Sequence, residues 1–506
     1  MEVDDEHYER PRRRRLLGRS SVSPPTSLST VKAQDSADRP DPSRWRVLTV
    51  VSAAQFLAIL DLFAVTIAFP AVAHDFRPAS LPDVSWILNA YTILLAALLV
   101  PAGRFADDTG RRRCFLVGLA LFGLSSIGCA AAPDLAVLIA ARALQGIGAA
   151  VIVPTSLALA LPAFPQSEKA TAVGIWAAVG AVASGVGPTV GGVLVMTSWR
   201  WIFLINVPVV LAALIAGHRV LPPAMGGQHR RLDLVGTVLI LTATGCLTTV
   251  FLQASTWGYV SLSTGATLAI AVVCTGACVV HFRQHPDPLI SPELFRVRTF
   301  TVGVVGIFVY YLGFAAMLLG AALFLTGEWH YSVLAAGLGI SPGPIAAAVV
   351  SSASGRIVRY LGTRSTAVLG GLVFALGCAW WLATSHHTPA YWLSFMPGVT
   401  LIGIGNALIQ PALFGTVATL PSRLGATGAA ILTMARQLGS ALGVALLVAI
   451  LNASQHPGIA TYRHAWIFMI GTGLLASATS LTYRHRVSQS EDVSNRVRLG
   501  VARETQ

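Results

Sequence analysis

The chain has 506 residues, 54% hydrophobic and only 11% charged, with a mean hydropathy of +0.67 and a formal net charge of +13. Soluble domains carry about 25% charged residues, so the composition excludes a soluble globular protein and points to one that crosses a membrane many times. The basic residues are scattered over loops, which argues against nucleic-acid binding and for a topology signal and a fit to anionic lipid headgroups.

In chain order, residues 1–46 hold Arg12 to Arg15, several Pro and Ser and no apolar run, and read as a disordered cytoplasmic tail. Fourteen apolar stretches of membrane-spanning length follow, at 47–70, 83–103, 114–132, 135–158, 170–195, 201–221, 234–254, 262–281, 300–325, 333–353, 366–384, 391–415, 425–452 and 464–482. Residues 483–506 form a second polar tail. An even number of spans puts both termini on one side, and about 30 of the Lys and Arg lie in the tails or in loops on that side. The expected location is therefore the cell membrane, multi-pass, with both termini cytoplasmic. Six cysteines, at 114, 129, 246, 274, 278 and 378, sit in or beside these stretches and read as small buried apolar residues. No metal site, Walker-type phosphate loop or nucleophile elbow is expected, so neither an enzyme nor an ATP-driven pump.

Asp61 is the only acidic residue in the middle of such a stretch. A helix of about 24 residues is roughly 36 Å long, against a hydrocarbon core of about 30 Å, so Asp61 would lie well inside. A carboxylate there costs about 2.5–3.5 kcal/mol even on the milder scales, which marks it as a protonatable or ligand-pairing group facing a water-filled cavity. A kink or a packing hydrogen bond is the structural alternative.

The chain also repeats itself. Gly103 to Arg112 matches Gly355 to Arg364 in the spacing of its two glycines and of its basic residues; Gly146, Gly148 and Pro154 match Gly403, Gly405 and Pro411; Leu161-Pro162 matches Leu420-Pro421. Three ordered matches at offsets of 252, 257 and 259 residues imply two related six-helix bundles, 47–221 and 300–482, with residues 222–299 supplying two extra central helices. The expected fold is all-α, two bundles about a cavity, as in rocker-type secondary transporters.

These features resemble the fourteen-span drug:proton antiporters of the major facilitator superfamily, over nearly the whole membrane region. Leu60-Asp61 with Ala68 and Pro70 looks like the first-span signature, departing from it at Phe63 and Thr66; Trp86 and Tyr91 resemble the second-span pair. Gly103, Asp107, Gly110, Arg111 and Arg112 resemble the superfamily's loop signature, in which glycines permit a tight turn and Asp107 can oppose a helix N-terminus or pair with an Arg, forming a conformational latch. Arg142 with Gln145 and Gly146 looks like the fourth-span motif, and Asp61 is the one mid-span acid that Arg142 could pair with. Gly185, Gly187, Pro188, Gly191 and Gly192 resemble the antiporter motif, which the family links to export, although Ala183 stands where a further Gly is common. Arg436-Gln437-Leu438-Gly439 with Gly443 also looks like this group.

The resemblance implies a proton-coupled exporter of hydrophobic small molecules, with Asp61 and Arg142 coupling protons and the proton gradient as energy source in place of a cofactor. Its partners would be substrate, protons and membrane lipids, and it would work as a monomer. Phe63, Trp86, Tyr91, Phe203 and Arg436 are the expected cavity residues. A proton-coupled importer on the same fold, or a non-transporting receptor, are the alternatives.

Overall fold

The computed structural model describes residues 43–482 apart from 166–167, 223–232, 287, 291, 421–423 and 454–457. Both expected tails lie outside the described residues save for Ser43–Arg46, and there the boundary moves. The first helix, α1, is Arg44–Asp75, its opening turn held by an Arg44–Glu168 ion pair of 3.0 Å and by Trp45 set edge-on to Phe164.

The first bundle continues with α2 (Leu81–Thr109), α3 (Arg111–Ala130), α4 (Leu135–Ala160), α5 (Lys169–Val195) and α6 (Trp201–Val220). The extra pair is α7 (Leu234–Trp257) and α8 (Leu262–Gln284). The second bundle comprises α9 (Arg298–Gly327), α10 (Val333–Ser351), α11 (Tyr360–Thr384), α12 (Tyr391–Val417), α13 (Gly425–Asn452) and α14 (Ile459–Leu481). Among the described residues thirteen of these are long and apolar enough to cross a membrane; in α5, the remaining one, the apolar stretch runs over Val182–Val195. The helix is the natural spanning element because it satisfies its own backbone where no water can.

Where the chain turns back at the Asp75 end of the molecule, polar side chains cover the exposed N–H groups of the next helix. Ser80, Asp134, Ser261 and Ser332 accept from the backbones of Asp83, Val137, Thr264 and Ala335 at the starts of α2, α4, α8 and α10. At the Arg44 end the α2–α3 connection turns on Gly110 (φ 112°) and the α10–α11 connection on Gly362 (φ 81°). These are the second glycines of the repeated loop, each in a backbone region that other residues adopt only under strain.

The repeat extends to side-chain contacts. A Cβ on Gly146 would strike the backbone of Tyr91, and one on Gly403 the backbone of Gly343; Gly148 lies against Gly118 and Phe122, and Gly405 against Gly370 and Phe374. Each contact in the first bundle has its counterpart in the second, at the sequence offsets already noted. The glycines of α5 recur as well: Gly187 and Gly191 lie over Leu60 and Ala64 of α1, while Gly439 and Gly443 of α13 lie over Phe308 and Leu312 of α9.

Between the bundles the pairing is reciprocal, α5 against α10 and α2 against α13, as a pseudo-twofold relation requires. The extra helices do not enter this seam. They pack on one another, and α7 covers the α2–α13 side, where Ala96, Ala97 and Val100 of α2, Ile240 of α7 and Met434 of α13 share a small apolar cluster. Much of α8 remains exposed, including Val272, Val273 and Val280, as a face toward lipid would.

Gly362, with φ 81° and ψ 156°, occupies a region used almost only by glycine. Gly362→Ala is expected to destabilise the protein by about 1–3 kcal/mol, the usual cost of holding a non-glycine residue there, read as a lowered midpoint of thermal unfolding in detergent.

Candidate functional site

Asp61 sits midway along α1 with its side chain fully buried, and Arg142 on α4 is equally buried. The two meet: Arg142 Nη1 donates to Asp61 Oδ2 at 2.5 Å. The other carboxylate oxygen accepts from Gln145 Nε2 at 3.0 Å and from Asn206 Nδ2 at 3.1 Å. Gln145 in turn accepts from Arg142 at 2.6 Å and donates to Ser126 of α3 at 2.9 Å, and Arg142 Nε donates to the Ile87 carbonyl of α2 at 2.9 Å. The carboxylate therefore joins α1 to α4 and α6, Gln145 and Asn206 carry the cluster on to Ser126 of α3, and the guanidinium reaches α2.

The spacing along α4 explains part of this. Arg142 and Gln145 are three residues apart and so share a helix face, the arrangement in which two side chains can clasp one acid. Two aromatic rings close the shell: the Arg142 guanidinium lies 4.3 Å from the ring centre of Tyr91 and 5.7 Å from that of Phe203. Tyr91 also ties α2 to α1, donating to the Ala58 carbonyl at 3.1 Å.

This placement corrects two expectations. Asp61 does not face a water-filled cavity in this conformation; it is 1% exposed and enclosed by side chains. Tyr91 and Phe203 are not cavity aromatics but walls of the charge cluster, at 0% and 1% exposure, because a buried guanidinium needs ring faces on the sides where it makes no hydrogen bond. Phe63 and Trp86 are half-buried against the large apolar core, with the Phe63 Cβ beneath Gly187. Arg436 lies in the other bundle, its guanidinium 5.7 Å from the Tyr311 ring and 5.9 Å from that of Phe414, and its Nε has no hydrogen-bond partner among the described residues. Gln145, Asn206 and Ser126 complete the cluster. Gln145 was legible as a neighbour of Arg142; Asn206 and Ser126 carry no local signal that would join them to Asp61.

Among the described residues the cluster has no twin. Transferring its positions through the repeated contacts brings Asp61 to Val309, Arg142 to Val399, Gln145 to Ile402 and Ser126 to Cys378, all buried. The second bundle fills that volume with hydrocarbon and sulfur and builds its core on stacked aromatics, with Trp381 4.7 Å from Phe395 and 4.9 Å from Trp466.

The glycine-rich helix forms the seam between the halves. On one side of α5 a Cβ on Gly187 would stand 2.7 Å from the Phe63 Cβ, and one on Gly191 2.8 Å from the Ala64 carbonyl oxygen. On the other side Gly192 faces Leu334, and Gly337 of α10 lies under the Pro188 carbonyl. Only residues without side chains permit this double approach. Thr189 Oγ1 and Ser341 Oγ, 2.7 Å apart, are hydrogen-bonded across the seam. All these contacts lie in the half of the molecule nearer Asp75.

At the opposite end, Arg111 pairs with Asp107 at 2.6 Å within the loop and donates to the Ala158 carbonyl at the close of α4. Arg112 donates to the His218 carbonyl in the last turn of α6, and Arg104 to the Pro288 carbonyl beyond α8. Gly103 packs on Pro154. The loop thus satisfies carbonyls at helix C-termini, where cations are favoured; the Asp107–Arg111 pair, with both side chains more than a third exposed, contributes little by itself.

The Major Facilitator Superfamily model matches residues 51–444. The chain is 32% identical to the multidrug resistance protein Stp of Mycobacterium tuberculosis, over 81% of this chain and 77% of that one. It is 36% identical to the puromycin resistance protein of Streptomyces alboniger (83% and 84%), and 31% identical to the tetracenomycin C resistance and export protein of Streptomyces glaucescens (84% and 78%). A solved peptide transporter POT superposes with a TM-score of 0.66 at 13% identity, covering 89% of this chain and 97% of its own; a D-xylose-proton symporter gives 0.63 at 15%, covering 87% and 98%.

Removing one member of a buried ion pair leaves the other uncompensated, at about 3–5 kcal/mol. Arg142→Ala is expected to destabilise by that order, and Asp61→Asn in the same chain to restore a measurable part of it, read by thermal unfolding of single and double variants.

Proposed function

Because the chain belongs to the major facilitator superfamily, we propose that it is a proton-coupled antiporter that exports hydrophobic small molecules of the antibiotic or drug type by alternating access. It lies in the cell membrane with both termini cytoplasmic, acts as a monomer and draws on the proton gradient. The topology reading rests on the concentration of Arg in the tails and on the loops at the Arg44 end. The substrate class rests on the relatives, whose names attach resistance to multiple drugs or to puromycin, and resistance and export to tetracenomycin C.

The observation that carries the coupling is the one-sided charge cluster. Asp61 joins α1 to α4 and α6 only as a carboxylate, since both its oxygens accept from N–H donors. A proton on Asp61 removes the charge that Arg142 answers and converts one acceptor to a donor facing donors. Inverting a two-state population from 1:99 to 99:1 takes about 5.5 kcal/mol, and disrupting a buried pair is worth about 3–5 kcal/mol. Loss of the pair is thus of the same order as the energy that inverts a two-state population.

The second bundle, apolar at the equivalent positions, serves as the body against which the first moves. In this conformation the seam is shut on the Asp75 side by α5 and α10, so the state described is closed toward the exterior. Pro188, interrupting the backbone ladder of α5 beside the Thr189–Ser341 bond, is where that helix would bend as the seam opens.

In vesicles with an imposed pH gradient, Asp61→Asn should reduce gradient-driven flux of a hydrophobic drug to that of protein-free vesicles, and Asp61→Glu should retain part. Full flux by the Asn variant ends the proton-carrier role, and gradient-driven uptake in place of export ends the antiporter reading. Pro188→Leu should lower export while leaving the protein folded, whereas Gly187→Leu should lower both export and the midpoint of thermal unfolding, because its Cβ would meet that of Phe63 at 2.7 Å. With Thr189→Cys and Ser341→Cys introduced together in a chain whose six native cysteines are replaced, oxidation should arrest transport and reduction restore it; undiminished transport by the cross-linked protein removes the gate from this seam.

A further inference from the structure

The extra helices bring together three groups that the transport reading leaves unused. Asp233 immediately precedes α7, His281 lies in the last turn of α8, and His285 follows one helical turn later. The sequence offered only the His281–His285 spacing, because 48 residues separate Asp233 from His281. In the fold, ligand atoms from all three residues lie within 4.8 Å of one another. We propose that Asp233, His281 and His285 form a binding site for a divalent transition-metal ion of the zinc class, at the Arg44 end of the molecule.

The donor set is one such an ion takes: two imidazoles and one carboxylate, with a fourth position open to water. The two rings are four residues apart and thus on one helix face, with centres 4.9 Å apart and planes inclined by 37°. The Asp233 side chain is 1% exposed and His281 19%, so the site is walled by protein on one side while remaining reachable. The carboxylate is already oriented: Oδ1 accepts from the Gly236 N–H at 2.7 Å and Oδ2 from the Leu289 N–H at 2.8 Å. Backbone donors of this kind hold a metal-binding carboxylate in place without occupying all its lone pairs.

Two adjustments are needed. His281 Nε2 and Asp233 Oδ1 are 2.7 Å apart, joined by a hydrogen bond, whereas two ligands of a tetrahedral zinc, each at 2.0–2.1 Å, stand roughly 3.3 Å apart. The ion replaces the shared proton, which passes to solvent; the pair opens by about 0.6 Å, and the ligand atoms that now lie as much as 4.8 Å apart draw in to a similar separation. Such an ion would join the start of α7, the end of α8 and the segment at Leu289. That segment is also gripped at Pro288 by Arg104 of the α2–α3 loop. Occupancy would thus stiffen the connection that leads from the extra pair into the second bundle.

The test is a cobalt(II) titration of the tag-free, full-length protein in detergent, read by visible absorption and by metal retained on dialysis, with zinc as competitor. The expected result is one ion per chain with the visible absorption of tetrahedral cobalt, displaced by zinc. His285→Ala leaves the Asp233–His281 bond intact and should weaken binding by more than about a hundredfold, the loss that removing an outer-shell partner alone already approaches. His387→Ala, which alters an exposed ring beside Glu328 in the second bundle, should bind like the parent. No binding at micromolar free metal, or equal binding by the parent, His281→Ala and His285→Ala, overturns the proposal.

Discussion

The structure turns on a single ion pair that has been removed from water. Asp61 and Arg142 each carry a desolvation cost of several kcal/mol, which their mutual attraction offsets only when every remaining donor and acceptor is well placed. The first bundle meets most of that condition: Gln145, Asn206, Ser126 and the Ile87 carbonyl supply hydrogen bonds and Tyr91 and Phe203 supply ring faces, while Arg142 Nη2 and Asn206 Oδ1 have no hydrogen-bond partner among the described residues. The satisfaction of the cluster depends on the charge of the one carboxylate at its centre, which accepts from three N–H donors. An apolar core of the same volume would be as stable, or more so, and would respond to nothing.

The second bundle illustrates that alternative. It has the same helix pairings and the same close glycine contacts, yet Val309, Val399, Ile402 and Cys378 occupy the positions of the polar groups. Trp381, stacked on Phe395 and tilted against Trp466, takes over with them as the large buried side chains. Duplication thus preserved backbone geometry, which the glycines dictate through steric exclusion, and left the interior chemistry free to diverge. The result is one half with a buried carboxylate and guanidinium at its centre and one whose equivalent positions are apolar.

The seam between them obeys a different constraint. Two helices that must slide or tilt against each other in a membrane have little hydrophobic force between them and rely on close van der Waals contact. The α5–α10 contact achieves this with glycines on both faces of α5 and Gly337 on α10, adding a single hydroxyl pair, Thr189 and Ser341. The extra helices stay outside this contact, against α2 and α13, where they cover the opposite side of the seam without crossing it.

Much of this was legible in the chain. Hydropathy located the helices because each must be apolar for the length of a bilayer, and the repeated glycines revealed the duplication because a tight turn or a close approach admits no other residue. Asp61 and Arg142 stood out because charge is rare where water is absent, and chemistry alone suggested that they should meet. The partners of that pair were not legible. Asn206 and Ser126 are ordinary polar residues whose role depends on the rotation of α6 and α3 about their axes, and hydropathy does not encode rotation. The same ignorance made Tyr91 and Phe203 look like cavity residues, and concealed the approach of Asp233 to His281. The sequence by itself determined the spans, the duplication and the one costly charge, each being a local requirement of the bilayer or the backbone. Only the tertiary structure decided which side chains surround that charge and which bundle carries it, because those depend on how packed helices are turned toward one another.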